Sequence, residues 1–306
     1  MYCEKISQST TLALKGIAIV FVVFGHLGIV PLGGAIGVEI FLVLSGYGIH
    51  QSYLNKSFDG YWKNKIKKIW TPFFIWELIV FTIYYITDLK NIRCYNIIQL
   101  TTSVVGINSY NVIDKTMWYI PYLFTEYLLF WLVFRRKNNG LKTIIIFIGY
   151  TFLISCLAFL GMFPRYTGVW IYTFGMPIGI FYSYVVQKIK LSKYYLIAFL
   201  VLIFWPIAEK NVFLYCLFIT GVGMMVPICS NIITKYNLNL DIWEGIGKIS
   251  FYIYLCEAVI IDTVSNFFPN VRKGVIDFLI IGFIVIVSIG ISLIEQRFKR
   301  NLEVKR

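Results

Sequence analysis

The 306-residue sequence predicts an all-α fold: a polytopic integral membrane protein of about ten transmembrane helices with both termini cytoplasmic. Three observations carry this. Hydrophobic residues make up 58% of the chain and aromatics 18%, against 14% charged, a balance far outside soluble composition. Apolar runs long enough to span a bilayer, about 20 residues each, recur between polar breaks along the chain. With the N-terminus inside, 21 of the 28 basic residues fall in cytoplasmic segments and 7 in outer ones, the bias that sets orientation.

The first span, 12–30, follows Lys5 and Lys15. It lacks a small-residue cleavage site and so reads as a retained helix, not a signal peptide. A very short turn leads to the second span, 36–53. The third, 66–87, is entered through YWKNKIKKIWTPFF, where Lys63, Lys65, Lys67 and Lys68 cluster and Pro72 is placed to bend the helix entrance. The connection 88–115 is long, polar and outside, a kind of loop that often carries function. The fourth, fifth and sixth spans are expected at 116–134, 141–161 and 167–187. A short seventh at 193–208 precedes the eighth at 211–230, the ninth at 245–266 and the tenth at 274–294. Ten spans occupy roughly 200 positions, so 1–306 reads as a single transmembrane domain with no attached soluble domain.

The net charge of +13 is topogenic and lipid-facing, because every cytoplasmic connection carries basic residues; nucleic acid is excluded as a partner on that ground. Cys3, Cys94, Cys156, Cys216, Cys229 and Cys256 have no C-x-x-C spacing, which indicates neither a metal site nor a disulfide framework. No repeat of 20 to 50 residues is visible.

Ionisable side chains inside a span are functional candidates by default. Five stand out: His26, Glu39, Glu77, Glu126 and Glu257. His26 lies four residues before the end of the first span and Glu39 three after the start of the second, so an antiparallel hairpin brings both to nearly one depth. A carboxylate there selects the imidazole tautomer and stabilises its protonated form, equipping His26 as a general base; the same pair also serves as an interhelical packing bond. Lys15, 11 residues before His26, faces the same side about 16 Å away. That separation suits a phosphate-headed donor whose reactive end reaches inward, and it equally suits a snorkelling anchor. His50 reads as an interface residue.

These residues are arranged as in the integral-membrane acyltransferase family 3, whose members transfer acyl groups, often acetyl, to sugars and other acceptors. LKGIAIVFVVFGH resembles the family's basic residue, gap and histidine, with Lys15 and His26 in those places. GVEIFLVLSGYGI, from Gly37, is similar to its GV(D/E)xFFVLSG signature and includes Glu39. Lys65, Lys68 and Pro72 resemble the RxxR-and-proline entrance of the third span, and Trp118-Tyr119-Ile120 the start of the fourth. GKISFYIYLCE, from Gly247 to Glu257, resembles the late G-x-x-S-x-x-I-Y-L-x-H segment. Two departures are chemical: lysines replace the arginines at 65 and 68, losing bidentate phosphate binding, and Glu257 occupies the place of the late histidine. The chain also ends without the esterase-like domain fused to some members.

The resemblance implies a membrane O-acetyltransferase of a bacterial plasma membrane. It has no permanently bound cofactor, and its donor is an acyl-coenzyme A, most often acetyl-coenzyme A. Lys15, Lys65 and Lys68 then hold donor phosphates, and His26, oriented by Glu39, acts as base or transient acyl carrier. The acceptor is a hydroxyl of a lipid-linked or cell-surface glycan. Trp118, Tyr119 and Tyr122 stack on sugar or serve as belt anchors, and Glu257, Glu77 and Glu126 line the acceptor cavity or pair with neighbouring hydroxyls. A transporter or flippase using intramembrane carboxylates is the competing class, and a noncatalytic membrane protein is the third.

Overall fold

A computed structural model describes residues 5–87, 92–105, 113–136, 140–160, 169–186, 211–268 and 273–304. Regular structure among them is helical. The α-helices are α1 Gln8–His26, α2 Gly33–Lys56, α3 Tyr61–Lys65, α4 Thr71–Thr87, α5 Ile97–Val105, α6 Tyr119–Phe134, α7 Leu141–Phe159, α8 Gly175–Val185, α9 Val212–Lys235, α10 Asp241–Phe267 and α11 Lys273–Val304. Seven described helices are long and apolar enough to cross a membrane: α1, α2, the run Tyr61–Thr87, Thr116–Phe134, α7, α9 and Lys273–Arg297. They occupy seven of the ten expected positions.

The other three differ for identifiable reasons. The expected sixth span begins as a 3-10 turn, Val169–Tyr172, and continues as the 11-residue α8. The ninth is the 27-residue α10, less apolar because it carries Asp241, Glu244, Lys248, Glu257 and Asp262. The seventh, 193–208, lies outside the described residues. Part of the expected loop at 88–115 is itself helical, in a 3-10 turn at Ile92–Cys94 and in α5.

The chain divides into two compact units, one of residues 1–11 and 38–239, the other of residues 12–37 and 240–306. In the first, α4 shows how one helix serves two environments. Phe73, Glu77, Val80 and Tyr84 are buried along one stripe, while Ile75, Ile79, Ile83 and Ile86 are exposed along the other, the face left for lipid. Its entrance is a π-helical turn, Ile66–Trp70, in which the Thr71 N–H reaches back to the Ile66 carbonyl. Pro72 has no N–H for the Lys68 carbonyl and its ring crowds the preceding turn, so the ladder widens there.

Helices α2 and α8 run parallel through glycines: Gly46 lies on the Met176 backbone and Gly179 on the backbone of Val43 and Tyr47. Side chains at 46 or 179 would hold the helices apart, which is how small residues drive packing in lipid. The aromatic core of this unit is made of Phe73, Phe130, Phe134, Phe147 and Phe218, each fully buried.

In the second unit, α1 and the first turn of α2 form an antiparallel hairpin, with Gly33 against the Phe21 carbonyl and Gly37 against that of Ala18. Helix α10 lies parallel to α1, Gly16 against Trp243 and Gly247 against Leu12, the sense expected of a first and a ninth span. Helix α11 packs on α10, where Cys256 Sγ lies 3.2 Å from Ser288 Oγ.

Candidate functional site

The α1–α10 glycine crossing sets the depth of everything further along the two helices. Ten residues beyond Gly16 is His26 and ten beyond Gly247 is Glu257, about 15 Å along each axis. There, His26 Nδ1 and Glu257 Oε1 are 2.9 Å apart. Glu257 is fully buried, while the His26 side chain keeps 34% of its surface exposed. With Nδ1 turned to the carboxylate, Nε2 is the ring's remaining nitrogen. A Cβ at Gly34 would lie 3.6 Å from Nε2, so the glycine keeps that edge of the ring uncovered.

The carboxylate found beside the ring is Glu257. His26 is the last residue of α1, and Glu39 lies six residues inside α2, about 9 Å along that helix. The hairpin contacts step from Phe21 to Ala18 as α2 advances from Gly33 to Gly37, away from His26. Lys15, beside the Gly16 crossing, is half-buried.

Glu39 belongs to the first unit. It is fully buried, and among the described residues neither carboxyl oxygen has a hydrogen-bond partner. A Cβ at Gly175 would come within 2.6 Å of its Oε2, and one at Gly223 within 2.5 Å of its Oε1; the carboxyl fills space that two glycines leave. Tyr119 is hydrogen-bonded with Ser45, and Tyr122 with the Glu126 carboxyl and the Tyr172 carbonyl. Trp118 stacks on Tyr172 with ring centroids 5.5 Å apart, which occupies one of its faces. Glu77 is fully buried on α4.

Lys65 is half-buried with its ammonium 4.0 Å from the centre of the Tyr127 ring, a cation–π contact; Lys68 is exposed in the π-helical turn. His50 is fully buried within the protein. Its Nδ1 is 2.8 Å from Ser183 Oγ, which also accepts from Gln51 Nε2 at 3.0 Å. Among the described residues no three His, Cys, Asp or Glu gather as a metal site. The glycines that position Glu39 and the α1–α2 hairpin escaped the sequence reading, although Gly33-x-x-x-Gly37 and Gly175-x-x-x-Gly179 are small-residue pairs at one-turn spacing, the packing signal of membrane helices.

The family model described as an acyltransferase domain, that of the acyltransferase 3 family, matches residues 13–295. No curated protein and no solved structure matches the chain. The match takes in α1 to α10 and most of α11, and so both the His26–Glu257 pair and Glu39. The chain belongs to the acyltransferase 3 family and is a multi-pass membrane acyltransferase.

Proposed function

We propose, from that membership, that the protein moves an acyl group, in the simplest case acetyl, from acyl-coenzyme A to a hydroxyl of a lipid-linked or cell-surface glycan at a bacterial plasma membrane. The observation that carries the mechanism is the 2.9 Å pair of His26 Nδ1 with the buried Glu257 carboxylate. Nε2 removes the acceptor hydroxyl's proton as its oxygen attacks the thioester carbonyl. The carbon–sulfur bond breaks, and the departing thiolate takes that proton from the imidazolium. Glu257, desolvated beside the ring, stabilises the imidazolium while it exists. Lys15, Lys65 and Lys68 are each carried over from the family resemblance as cations for donor phosphates, Lys68 being exposed and Lys65 partly taken up by Tyr127.

The test is transfer of label from acetyl-coenzyme A to a membrane glycan fraction in proteoliposomes. His26→Ala abolishes transfer while the protein stays inserted and monodisperse, and Glu257→Gln, which keeps shape but loses charge, lowers turnover on the order of 10²-fold. Wild-type transfer by His26→Ala would refute the site, and gradient-driven solute uptake without transfer would replace the enzyme with a transporter.

A further inference from the structure

In the first unit, at the end where α6 stops, two tryptophans meet. Trp62 in α3 and Trp131 in the last turn of α6 lie edge to face, with ring centroids 6.2 Å apart. The short α3 is fixed against α6 beside them: the Tyr61 hydroxyl donates to the Tyr127 carbonyl at 2.9 Å, and the Tyr61 ring stacks on Phe130. One turn beyond Trp131, the exposed Arg135 lays its guanidinium 5.0 Å from the centre of the Trp131 ring, a cation–π contact. Lys63, next to Trp62, and Arg136 are exposed as well. Asp59, four residues before Lys63, is exposed, and among the described residues it forms no ion pair with any of these three cations.

The arrangement selects an amphiphile with a negative head. A guanidinium whose face rests on an indole keeps the N–H fork in its own plane, which matches two phosphate oxygens, and the stack has already taken up much of the rotamer freedom that binding would cost. Tryptophans sit where a membrane meets water, so the indole pair sets this level as that of the headgroups. Three and seven residues before Arg135, on the same face of α6, Leu132 and Leu128 are exposed, as is Ile66 one turn on from Trp62. An apolar strip therefore runs from the cation into the bilayer, as acyl chains run from a phosphate. Coenzyme A carries phosphates but no hydrocarbon chains to cover that strip. A zwitterionic lipid brings a cation of its own, which Lys63 and Arg136 repel.

We infer that Trp62, Trp131 and Arg135, with Lys63 and Arg136 beside them, form a binding site for an anionic glycerophospholipid, its phosphate on Arg135 and its chains along Leu128, Leu132 and Ile66. The site stands apart from acyl transfer and does not rest on that reading. Native mass spectrometry of the full-length protein in detergent resolves each bound lipid, so phosphatidylglycerol and phosphatidylcholine with the same acyl chains are titrated side by side. Wild type binds phosphatidylglycerol the more tightly. Arg135→Gln, an exposed change that leaves the packing of α6 intact, lowers the affinity for phosphatidylglycerol about fivefold, the share of one basic residue facing an anionic headgroup, and leaves phosphatidylcholine binding as it was. Trp131→Leu keeps the apolar strip but frees the guanidinium, and lowers the affinity about threefold.

Lys235 supplies the control for bulk charge. It too is an exposed cation at a helix end, 4.9 Å from the centre of an aromatic ring, that of Tyr236, but Tyr236 is itself exposed and no second indole backs it among the described residues. Lys235→Gln leaves the affinity for phosphatidylglycerol unchanged. Excess coenzyme A leaves the lipid in place, and His26→Ala binds it as wild type does. Equal affinity for the two lipids overturns the site, as does an Arg135→Gln protein that binds phosphatidylglycerol like wild type. An equal loss in Lys235→Gln would reduce the preference to net charge, and displacement of the lipid by coenzyme A would give these residues to the donor; either result overturns the proposal.

Discussion

Replacing Gly247 by alanine adds one methyl group ten residues from Glu257 along α10, and the structure converts it into a displacement at the site. A Cβ at 247 would lie 2.7 Å from the carbonyl carbon of Leu12 and nearer still to its oxygen. Ordinary contacts of this kind begin at 3.4 Å, so the α1 and α10 backbones must part by about 0.7 Å or more. Carried along the helix pair, that opening takes the His26–Glu257 ion pair from 2.9 Å to about 3.6 Å, weakening the charge interaction. Overpacking alone costs roughly 1–3 kcal/mol. A displacement of this order at a reacting group lowers turnover on the order of 10²-fold. The assay is labelled acetyl transfer by matched amounts of monodisperse protein. Gly245→Ala is the control: it lies on the same helix with nothing within 4 Å of its Cβ position, and alanine favours a helix by up to about 1 kcal/mol over glycine. Gly247→Ala protein with wild-type turnover would refute the argument that the glycine crossing sets the position of the catalytic pair.

Other substitutions read neighbouring parts of the molecule. Gly34→Val places methyl groups against His26 Nε2, whose nearest approach to a Cβ there is 3.6 Å; turnover falls at least about tenfold with thermal stability unchanged, and full turnover would mean that Nε2 is not the reacting nitrogen. Ser183→Ala strands His50 Nδ1 and the Gln51 amide donor together. It destabilises by roughly 1–3 kcal/mol, seen as a lower midpoint in fluorescence-detected size-exclusion melts. Lys68→Ala raises the KM for acetyl-coenzyme A and flattens its salt dependence, whereas Lys68→Arg lowers KM through bidentate phosphate contact; equal KM values in all three proteins would remove Lys68 from the donor site.

The spanning helices were legible because length and apolarity are local properties, and the seven helices that meet both criteria occupy expected spans. The end of α1 was not legible. The residues after His26 read LGIVPL, as apolar as the helix itself, so hydropathy runs straight through the turn. What stops the helix is conformation: Gly28 and Leu32 take positive φ, and Pro31 has no N–H to continue the ladder. The expected end of the first span therefore lies four residues beyond the observed end of α1. The short α8 was hidden in the same way, its apolar residues merging with those of the preceding segment although Gly175 and Pro177 mark a helix start.

The partner of His26 could not come from local reading at all, because Glu257 lies on the far side of the sequence and meets the ring only through the Gly16–Gly247 crossing. Yet its identity is consistent with what surrounds it. At the position where the family carries a late histidine, a second imidazole beside His26 could share a proton but could not stabilise the imidazolium by charge. A carboxylate does so, and burial strengthens the interaction by lowering the local dielectric. Glu39 stands in the opposite circumstance, equally buried but with no ion pair or hydrogen bond among the described residues. Two carboxyls of one chemical type are thereby set apart by their partners: the one beside an imidazole is suited to carry charge through a proton transfer, whereas the other has no such partner among the described residues.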